Sequence, residues 1–403
     1  REGKKKNFFG KEQPYVLSIK KLKKTMKDTK EKKWYRIFKA SKFLSDAYKT
    51  DKNSIIEKYN EKGFRDARII SDTTYLNADN TLNIELAIDE GNPYYFRNVS
   101  WIGNQKFSNE ELDKLLGIKK GDIFDQSILD SRLFGNPNGT DISSLYLDDG
   151  YLFFNITPVE IATNNDSIDL EVRIYEGKQA RLNKVAVIGN SKTNDHVVMR
   201  EIRTKPGDLF NRSNIIRSQR ELAQLGYFDP EKLNVDIDPN PIKHTVNVDY
   251  IVAEKPSDQI NLQGGWGAGR VVGSLGLVFN NFSAGNFFKK NAWTPLPSGD
   301  GQKLSLTASS NGIYYQNYNI SFTEPWLGGK KPTSLTFSLY KSVSSNGQTG
   351  DDRESIEITG ATIGLGKRLK FPDDYFTLFQ NINFQQYELN NSQSFFSYTN
   401  GYS

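Results

Sequence analysis

A repeat with a spacing of 86 residues, from Gly103 to Gly189, constrains the fold more than any other feature of this sequence. The segments 96–124, FRNVSWIGNQKFSNEELDKLLGIKKGDIF, and 182–210, LNKVAVIGNSKTNDHVVMREIRTKPGDLF, align without a gap. Each begins with alternating apolar residues, reaches a Gly-Asn turn signal and continues with the apolar spacing of an amphipathic helix. A repeat of this size predicts one small α+β module per copy.

The second half of each copy has its own signature. A second helical segment runs into a Gly-aromatic step, Gly150-Tyr151 or Gly226-Tyr227, and two alternating strands follow. Glycine suits the end of a helix because it accepts the left-handed backbone conformation. An earlier stretch shares this half, with the step Gly63-Phe64, but has no recognisable opening strand. The sequence therefore predicts three modules with the order strand, helix, helix, strand, strand, the first of them truncated or divergent.

After Pro256 the helical spacing ends and the chain becomes a series of alternating strands. The alternation predicts eight strands, at about 259–268, 271–283, 302–311, 313–323, 333–342, 354–370, 375–389 and 393–402. One face is apolar, as at Phe337 and Leu339, and the other carries Ser, Thr, Gly, Asn and Gln. A soluble sandwich also alternates, but strands of about ten residues favour an outer-membrane barrel. We predict that the apolar face meets lipid and the polar face lines a wet lumen.

The connections and aromatic residues of this region orient the predicted strands. Short turns at 328–332 and 372–374 contrast with a longer polar connection at 344–352, a difference typical of the two sides of outer-membrane barrels. Aromatic residues collect where strands meet the short-turn side: Phe287, Phe288, Trp293 and Trp326. We predict that these four side chains form a membrane-interface girdle.

Composition argues against several functional classes. The chain has no cysteine, which excludes disulfides and thiol chemistry, and its two histidines, His196 and His244, occupy non-equivalent places in the repeats. No phosphate-binding loop motif and no Gly-x-Ser-x-Gly motif is present. We therefore expect no catalytic site, no cofactor and no metal. The Lys-rich stretch 20–34 and the net charge of +5 indicate a solvated helix face and not nucleic-acid binding.

The small sheets of the modules leave unpaired strand edges, for which two interpretations stay open. An exposed edge can accept an extended peptide by β-augmentation, with backbone hydrogen bonds that make few demands on sequence. Alternatively, charged side chains merely blunt the edge against association. Three tandem copies suit the handling of a long, extended client.

The modules resemble POTRA domains through strands that end at Gly-Asn and through their Gly-aromatic steps. The segment GGWGAGRVVGSLGLVFNNFSAGNFF (264–288), followed by WTPLPSGDGQKLSL and SFTEPWLGG, resembles the first barrel strands of the BamA family of outer-membrane protein insertases. The resemblance covers nearly the whole chain. It implies α+β POTRA repeats followed by an antiparallel transmembrane β-barrel that is only partly present, because about eight strands fit before Ser403. A complete eight-stranded barrel is the weaker interpretation.

The resemblance implies four domains, a location and a set of partners. We expect POTRA modules at residues 1–92, 93–178 and 179–256, and the first part of the barrel at 257–403. The location implied is the bacterial outer membrane, with the POTRA modules in the periplasm. The partners implied are unfolded barrel proteins as clients, accessory lipoproteins of a BAM-like complex, and outer-membrane lipid.

The resemblance also implies where the protein acts. In this family the first and last barrel strands pair poorly and open a lateral gate, where the first strand templates the strands of incoming clients. In this chain the first strand consists of Gln259, Ile260, Asn261, Leu262, Gln263, Gly264, Gly265, Trp266 and Gly267. Its glycines weaken a strand interior, which leaves the edge available as a template. The competing interpretation is that the glycines permit tight curvature or packing.

We therefore expect a non-enzymatic assembly factor that binds unfolded barrel proteins in the periplasm, then folds and inserts them into the outer membrane. A polypeptide-translocating pore of the same architecture is the alternative. A surface enzyme or a nutrient receptor built on a barrel is a third possibility. The lack of catalytic motifs disfavours the enzyme, and a series of repeats in place of a globular plug disfavours the receptor.

Overall fold

A computed structural model describes residues 15–30, 43–78, 81–136, 138–267, 270–293 and 295–391. By its internal contacts the chain divides into two compact units, residues 1–180 with 209–213 and residues 181–208 with 214–403. Within the described ranges no helix combines the length and the apolar composition that a membrane crossing requires.

The first unit begins with two helices and a hairpin. Its elements are α1 (Ile19–Thr25), α2 (Ser45–Asn60), β1 (Arg68–Leu76) and β2 (Leu82–Asp89). The two strands pair antiparallel, and Leu17, Ile55 and Tyr59 form a small core beside them. The predicted truncation or divergence of the opening strand concerns residues outside the described ranges.

The next module has a three-stranded sheet covered by helices. Its elements are β3 (Tyr95–Ile102), α3 (Asn109–Leu116), α4 (Gln126–Leu133), α5 (Ile142–Asp148), β4 (Asn155–Asn164) and β5 (Ser167–Tyr175). The central strand β5 runs parallel to β3 and antiparallel to β4. The expected single second helix is wrong here, because the helix is divided into α4 and α5. The Gly-Asn-Pro-Asn-Gly sequence at 135–139 interrupts it, since proline lacks an N–H donor and glycine favours turns.

The third module has the predicted order of elements. They are β6 (Arg181–Ile188), α6 (Asp195–Met199), α7 (Arg212–Gln224), β7 (Asn234–Asn240) and β8 (Thr245–Ile251). The sheet order is β6-β8-β7, with β6 parallel and β7 antiparallel to the central strand. The alignment of the two repeats therefore corresponds to the same sheet topology in both modules.

The glycine of each Gly-Asn turn is required by a close backbone contact. A Cβ atom on Gly103 would lie 2.0 Å from the carbonyl oxygen of Ile174, and a Cβ atom on Gly189 would lie 2.0 Å from that of Val252. Both glycines also have positive φ angles, of 90° and 103°. No residue with a side chain fits at either position, which explains why the spacing between these glycines marks the repeat.

A carboxylate at the end of the last strand holds the loop after each of these glycines. Glu176 accepts the backbone N–H groups of Gln105 and Lys106, both at 2.8 Å. In the third module, Glu254 accepts the N–H groups of Lys192 and Thr193, at 2.8 and 2.7 Å. These glutamates therefore have a structural role in the modules.

The remainder of the second unit contains seven antiparallel strands. They are β9 (Gln259–Gly267), β10 (Arg270–Phe282), β11 (Gln302–Ser310), β12 (Tyr315–Glu324), β13 (Thr333–Ser345), β14 (Ser355–Arg368) and β15 (Thr377–Asn390). Each pairs with its neighbour in sequence, so the sheet is open between β9 and β15 in the described residues. Seven of the eight predicted strands are confirmed, and the eighth, at 393–402, lies outside the described residues.

The two faces of this sheet differ as predicted. Phe337 and Leu339 on β13 are 41% and 44% exposed on the outer face. On the opposite face, the Ser338 hydroxyl donates to the Ser321 hydroxyl at 2.8 Å. Hydroxyl pairs of this kind suit a polar lumen, whereas the apolar face suits contact with lipid.

The connections between strands do not sort by length as the sequence predicted. The side of the sheet that carries the turns 325–332 and 369–376 also carries the long connection 283–301. The opposite side has the short turn 311–314 as well as the longer connection 346–354. The predicted contrast between a short-turn side and a long-turn side is therefore wrong for this part of the chain.

Candidate functional site

The strand β9 forms one end of the seven-stranded sheet. It pairs with β10 in register from Gln259↔Val278 to Gly267↔Arg270, and no other described strand pairs with its outer edge. Its apolar side chains Ile260, Leu262 and Trp266 are 77%, 81% and 75% exposed. The nine residues that the sequence predicted for the first strand are therefore all in β9, with one backbone edge unpaired in the described structure.

Gly264 and Gly265 of β9 have no packing partner in the described structure. A Cβ atom on Gly264 or Gly265 would meet no heavy atom within 4 Å, and neither residue has a positive φ angle. Neither a close contact nor a left-handed backbone therefore requires glycine at these positions. What the two glycines do contribute is backbone freedom, since glycine lowers the stability of a strand interior.

Three of the four predicted interface aromatics lie together in the connection between β10 and β11. The ring centroid of Phe287 is 5.5 Å from that of Phe288 and 5.1 Å from that of Trp293. The indole N–H of Trp293 also donates to the carbonyl oxygen of Phe287 at 2.9 Å. Phe288 is 92% exposed, which leaves its ring free to enter a membrane interface.

The fourth aromatic residue, Trp326, contacts the third module. Its indole N–H donates to Glu201 Oε1 at 2.6 Å, and the Arg200 guanidinium lies 5.7 Å from its ring centroid. Burial raises the pKa of Glu201, and the hydrogen bond from Trp326 offsets part of that effect. This contact tethers the β12–β13 turn to the segment that follows α6. A membrane-interface role for the four aromatics stays a prediction.

An ion cluster tethers the β14–β15 turn to α7. Asp374 accepts from Arg217 Nη2 at 2.7 Å and from Arg203 Nη2 at 2.8 Å, and both arginines also contact Glu221. The hydrogen bonds from Arg217 and Arg203 lower the pKa of Asp374. The Arg217 guanidinium also lies 4.4 Å from the ring centroid of Tyr375. The turn is therefore held by both charge and a cation–π contact.

The connection between β10 and β11 is the third one held by this module. The backbone N–H of Asn194 donates to the Gly299 carbonyl at 2.9 Å, and its side-chain amide donates to Asp300 Oδ1 at 2.8 Å. The third module thus contacts each of the three described connections on its side of the sheet. Sequence analysis missed these contacts because their partners are separated by more than 100 residues.

Two family models match parts of this chain. The POTRA family (surface antigen variable number repeat) matches residues 94–177 and 180–255, and the Omp85 superfamily domain matches residues 298–403.

Among curated proteins, the outer membrane protein assembly factor BamA of Neisseria meningitidis serogroup B is 26% identical over 379 residues, which cover 92% of this chain and 43% of that protein. BamA of Neorickettsia risticii is 26% identical over 257 residues, which cover 63% of this chain and 33% of that protein. The chain therefore spans less than half the length of these relatives.

Among solved structures, BamA from Haemophilus ducreyi lacking POTRA domains 1–3 matches with a TM-score of 0.57 at 21% identity. The match covers 74% of this chain and 52% of that one. At this identity the likeness concerns the fold.

Tandem POTRA modules that lead into an antiparallel membrane sheet define a class of outer-membrane barrel proteins with periplasmic domains. The family matches and the curated relatives of this chain support a BamA-type protein of the Omp85 superfamily. It is an outer-membrane protein, and its POTRA modules lie in the periplasm. The connections that contact the third module are therefore on the periplasmic side of the sheet.

Proposed function

We propose that this chain belongs to an outer-membrane protein assembly factor. Its POTRA modules bind unfolded barrel proteins in the periplasm, and the edge of β9 templates their folding and insertion into the membrane. The activity is not enzymatic, and accessory lipoproteins of a BAM-like complex act with it. The relatives named as outer membrane protein assembly factors support this function.

The observation that carries the proposal is the combination of an open edge and unpacked glycines in β9. Among the described strands, β9 pairs on one side only, and a Cβ atom on Gly264 or Gly265 would meet no heavy atom within 4 Å. A strand held on one side and softened by glycine can exchange its pairing with an incoming strand. A strand whose two edges are both paired has no free backbone N–H and C=O groups with which a client strand could form hydrogen bonds.

The physical need for such an edge follows from the membrane. A barrel strand that enters lipid with unpaired N–H and C=O groups costs several kcal/mol for each group. Pairing to β9 satisfies one row of these groups before the client barrel has closed. Folding of the client then supplies the free energy, without a nucleotide.

The alternation of β9 also sets how a client strand aligns. Ile260 and Leu262 pair in register with Leu277 and Leu275 of β10, on the lipid-facing side of the sheet. A client strand can pair with the free edge of β9. Its apolar residues then face lipid and its polar residues face the lumen only if its alternation matches that of β9. A shift of one residue exposes its polar face to lipid, so the pairing selects the register.

The test replaces Gly264 and Gly265 with valine in the full-length protein. We expect the rate of client folding into liposomes to fall by roughly two- to fivefold, because valine removes about 0.5–1 kcal/mol of glycine's backbone freedom. Gly273→Val is the matched control. Gly273 pairs with Gly264 and also has no heavy atom within 4 Å of its added Cβ, but its strand is paired on both edges. Equal effects of the two changes would contradict a role specific to β9.

A further inference from the structure

The connection between β10 and β11 is held together at its base. The side-chain amide of Asn194 in the third module donates to Asp300 Oδ1 at 2.8 Å, and the Ser283 hydroxyl donates to the other carboxylate oxygen of Asp300. We call residues 287–293, in the middle of this connection, the apex. Both ends of the loop that carries the apex are therefore anchored on the periplasmic side of the sheet.

The apex carries two positive charges without a neighbouring anion. Lys289 Nζ donates to a neutral acceptor, Asn286 Oδ1, at 2.9 Å. Lys290 is exposed, and no hydrogen bond or ion pair of its side chain falls within the described residues. The sequence has no Asp or Glu from residue 283 to residue 299. The nearest carboxylate along the chain belongs to Asp300, which already accepts the two hydrogen bonds at the base.

An exposed aromatic cluster adjoins these charges. The rings of Phe287, Phe288 and Trp293 contact one another, and Phe288, which is 92% exposed, directly precedes Lys289. Apolar rings next to lysines suit the layer of a membrane in which hydrocarbon gives way to headgroups, because the rings enter the hydrocarbon and the ammonium groups stay among the headgroups. The apex therefore has the side chains that a lipid headgroup and its acyl chains both require.

The turn between β12 and β13 offers a comparison on the same side of the sheet. It also has two adjacent exposed lysines, Lys330 and Lys331. Its tryptophan, however, is occupied, because the Trp326 indole donates to Glu201 of the third module at 2.6 Å. This turn has the charges of the apex without its cluster of three exposed rings.

We propose that the apex binds an anionic phospholipid of the periplasmic leaflet. The lipid phosphate accepts hydrogen bonds from Lys289 and Lys290, and an acyl chain lies against Phe288. The net negative charge of the lipid matches a loop with two lysines and no carboxylate. The connection also joins two strands whose outer faces are apolar, so the hydrocarbon region of the leaflet begins beside it. The site does not involve the pairing edge of β9 and does not depend on the function proposed for that edge.

The test measures lipid adducts on the full-length protein by native mass spectrometry. Two lipids with the same dioleoyl chains are compared: phosphatidylglycerol, which is anionic, and phosphatidylcholine, which has a phosphate but no net charge. We expect phosphatidylglycerol to bind about tenfold more tightly, since each lysine near an anionic lipid surface contributes on the order of fivefold. Equal binding of the two lipids would overturn the proposal.

Two matched double variants locate the charge preference. Lys289→Ala with Lys290→Ala is expected to reduce phosphatidylglycerol binding about tenfold, to the level of phosphatidylcholine. Lys330→Ala with Lys331→Ala removes the same charge from the β12–β13 turn, and it is expected to leave the preference intact. Equal losses in the two proteins would indicate a generally basic surface and would overturn a site at the apex.

The aromatic contact has a different signature. Phe288→Ser is expected to weaken binding of both lipids about fivefold and to keep the preference between them, because the ring contacts acyl chains that the two lipids share. Phe376→Ser makes the same change at an exposed ring after the β14–β15 turn and is expected to have no effect. A Phe288→Ser protein that binds both lipids as the parent protein does would contradict the acyl-chain contact.

A measurement in bilayers separates a lipid from a protein as the occupant. Lipids with brominated acyl chains quench the fluorescence of tryptophans that they contact, and the difference between the parent protein and Trp293→Phe gives the contribution of Trp293. We expect brominated phosphatidylglycerol to quench this contribution more strongly than brominated phosphatidylcholine at the same mole fraction, with a smaller difference at high salt. If neither lipid quenches Trp293, the apex lies outside the membrane, and the proposal is overturned in favour of a protein partner.

Discussion

β9 and β14 are glycine-containing strands of the same sheet, but their glycines have opposite surroundings. On β14, a Cβ atom at Gly360 would lie 2.3 Å from Cζ of Tyr340, and one at Gly364 would lie 3.0 Å from Cζ of Phe379. These two glycines are therefore covered by aromatic rings. The glycines of β9 at 264 and 265 have nothing within 4 Å of an added Cβ.

The difference separates two uses of glycine within one sheet. In β14, which is paired along both edges, glycine makes room for a neighbouring ring, so its absence of a side chain is a packing requirement. In β9, which is paired along one edge among the described strands, Gly264 and Gly265 leave the space of a side chain unfilled. Glycine in β14 is therefore a packing requirement, whereas we propose that glycine in β9 weakens the strand at the end of the sheet.

β9 also differs from the rest of the sheet in how the strands are anchored to the third module. The turns that follow β12 and β14 are tied to the third module through Glu201 and through Arg203 and Arg217. The outer edge of β9 has no such anchor in the described structure. We infer that the held part of the sheet provides a fixed frame against which β9 can open.

The largest expected effect distinguishes the two kinds of glycine directly. Gly360→Val forces a side chain into the ring of Tyr340, and overpacking of this kind costs about 1–3 kcal/mol in the free energy of unfolding. Gly264→Val meets no neighbour and is expected to stay within about 0.5 kcal/mol of the parent protein. The urea midpoint of the full-length protein in micelles measures both. If both variants lost a comparable free energy of unfolding, the proposed difference between the glycines of β9 and β14 would be contradicted.

A smaller effect is expected at the tethered turn. Asp374→Asn removes the charge that Arg203 and Arg217 contact, and it should lower the free energy of unfolding by about 0.5–1.5 kcal/mol at low salt. The loss should shrink at high salt, because screening weakens the ion cluster in the parent protein as well. Asp373→Asn is the control, since Asp373 accepts only the backbone N–H of Tyr375 in the described contacts. Thermal unfolding at two salt concentrations tests the pair, and equal effects of both changes would contradict the tether.

The smallest effect concerns Glu201, whose pKa is raised by burial. A carboxyl group with a raised folded-state pKa contributes most stability below its unfolded pKa, and that contribution is lost as the pH rises through the folded value. Glu201→Gln keeps an acceptor for the Trp326 indole without the buried charge, so Tm at pH 7.5 should rise by about 1–3 °C. The gain should disappear near pH 4. Trp326→Phe leaves Glu201 without this donor and should lower Tm at pH 7.5. A fall in Tm for Glu201→Gln would contradict the burial effect.

The sequence predicted the sheet well because its signal is local. Alternation such as Leu335, Phe337, Leu339 marks a strand and its outer face without reference to any other segment. The division between α4 and α5 was missed, although glycine and proline at 135–139 mark a break in the sequence. The signal was present, but the repeat favoured one continuous helix.

The contacts that define the site could not be predicted in the same way. Trp326 and Glu201 meet across 125 residues, and Arg217 and Asp374 across 157, so neither pair leaves a pattern in one segment. The glycines of β9 were visible in the sequence, but sequence alone does not distinguish an unpacked glycine from one covered by an aromatic ring. That distinction depends on which side chain of the neighbouring strand lies beside the glycine.

The most direct test of the central claim is disulfide trapping along β9. Single cysteines are introduced at each of residues 260–266 of the full-length protein in cells, using the absence of cysteine in this chain, and clients carry one cysteine in their last strand. Templating at the edge predicts adducts with several different barrel proteins, recurring at alternate positions because paired strands approach more closely at every second residue. Adducts with a single secreted polypeptide and with no barrel protein would contradict the account and indicate a translocation pore.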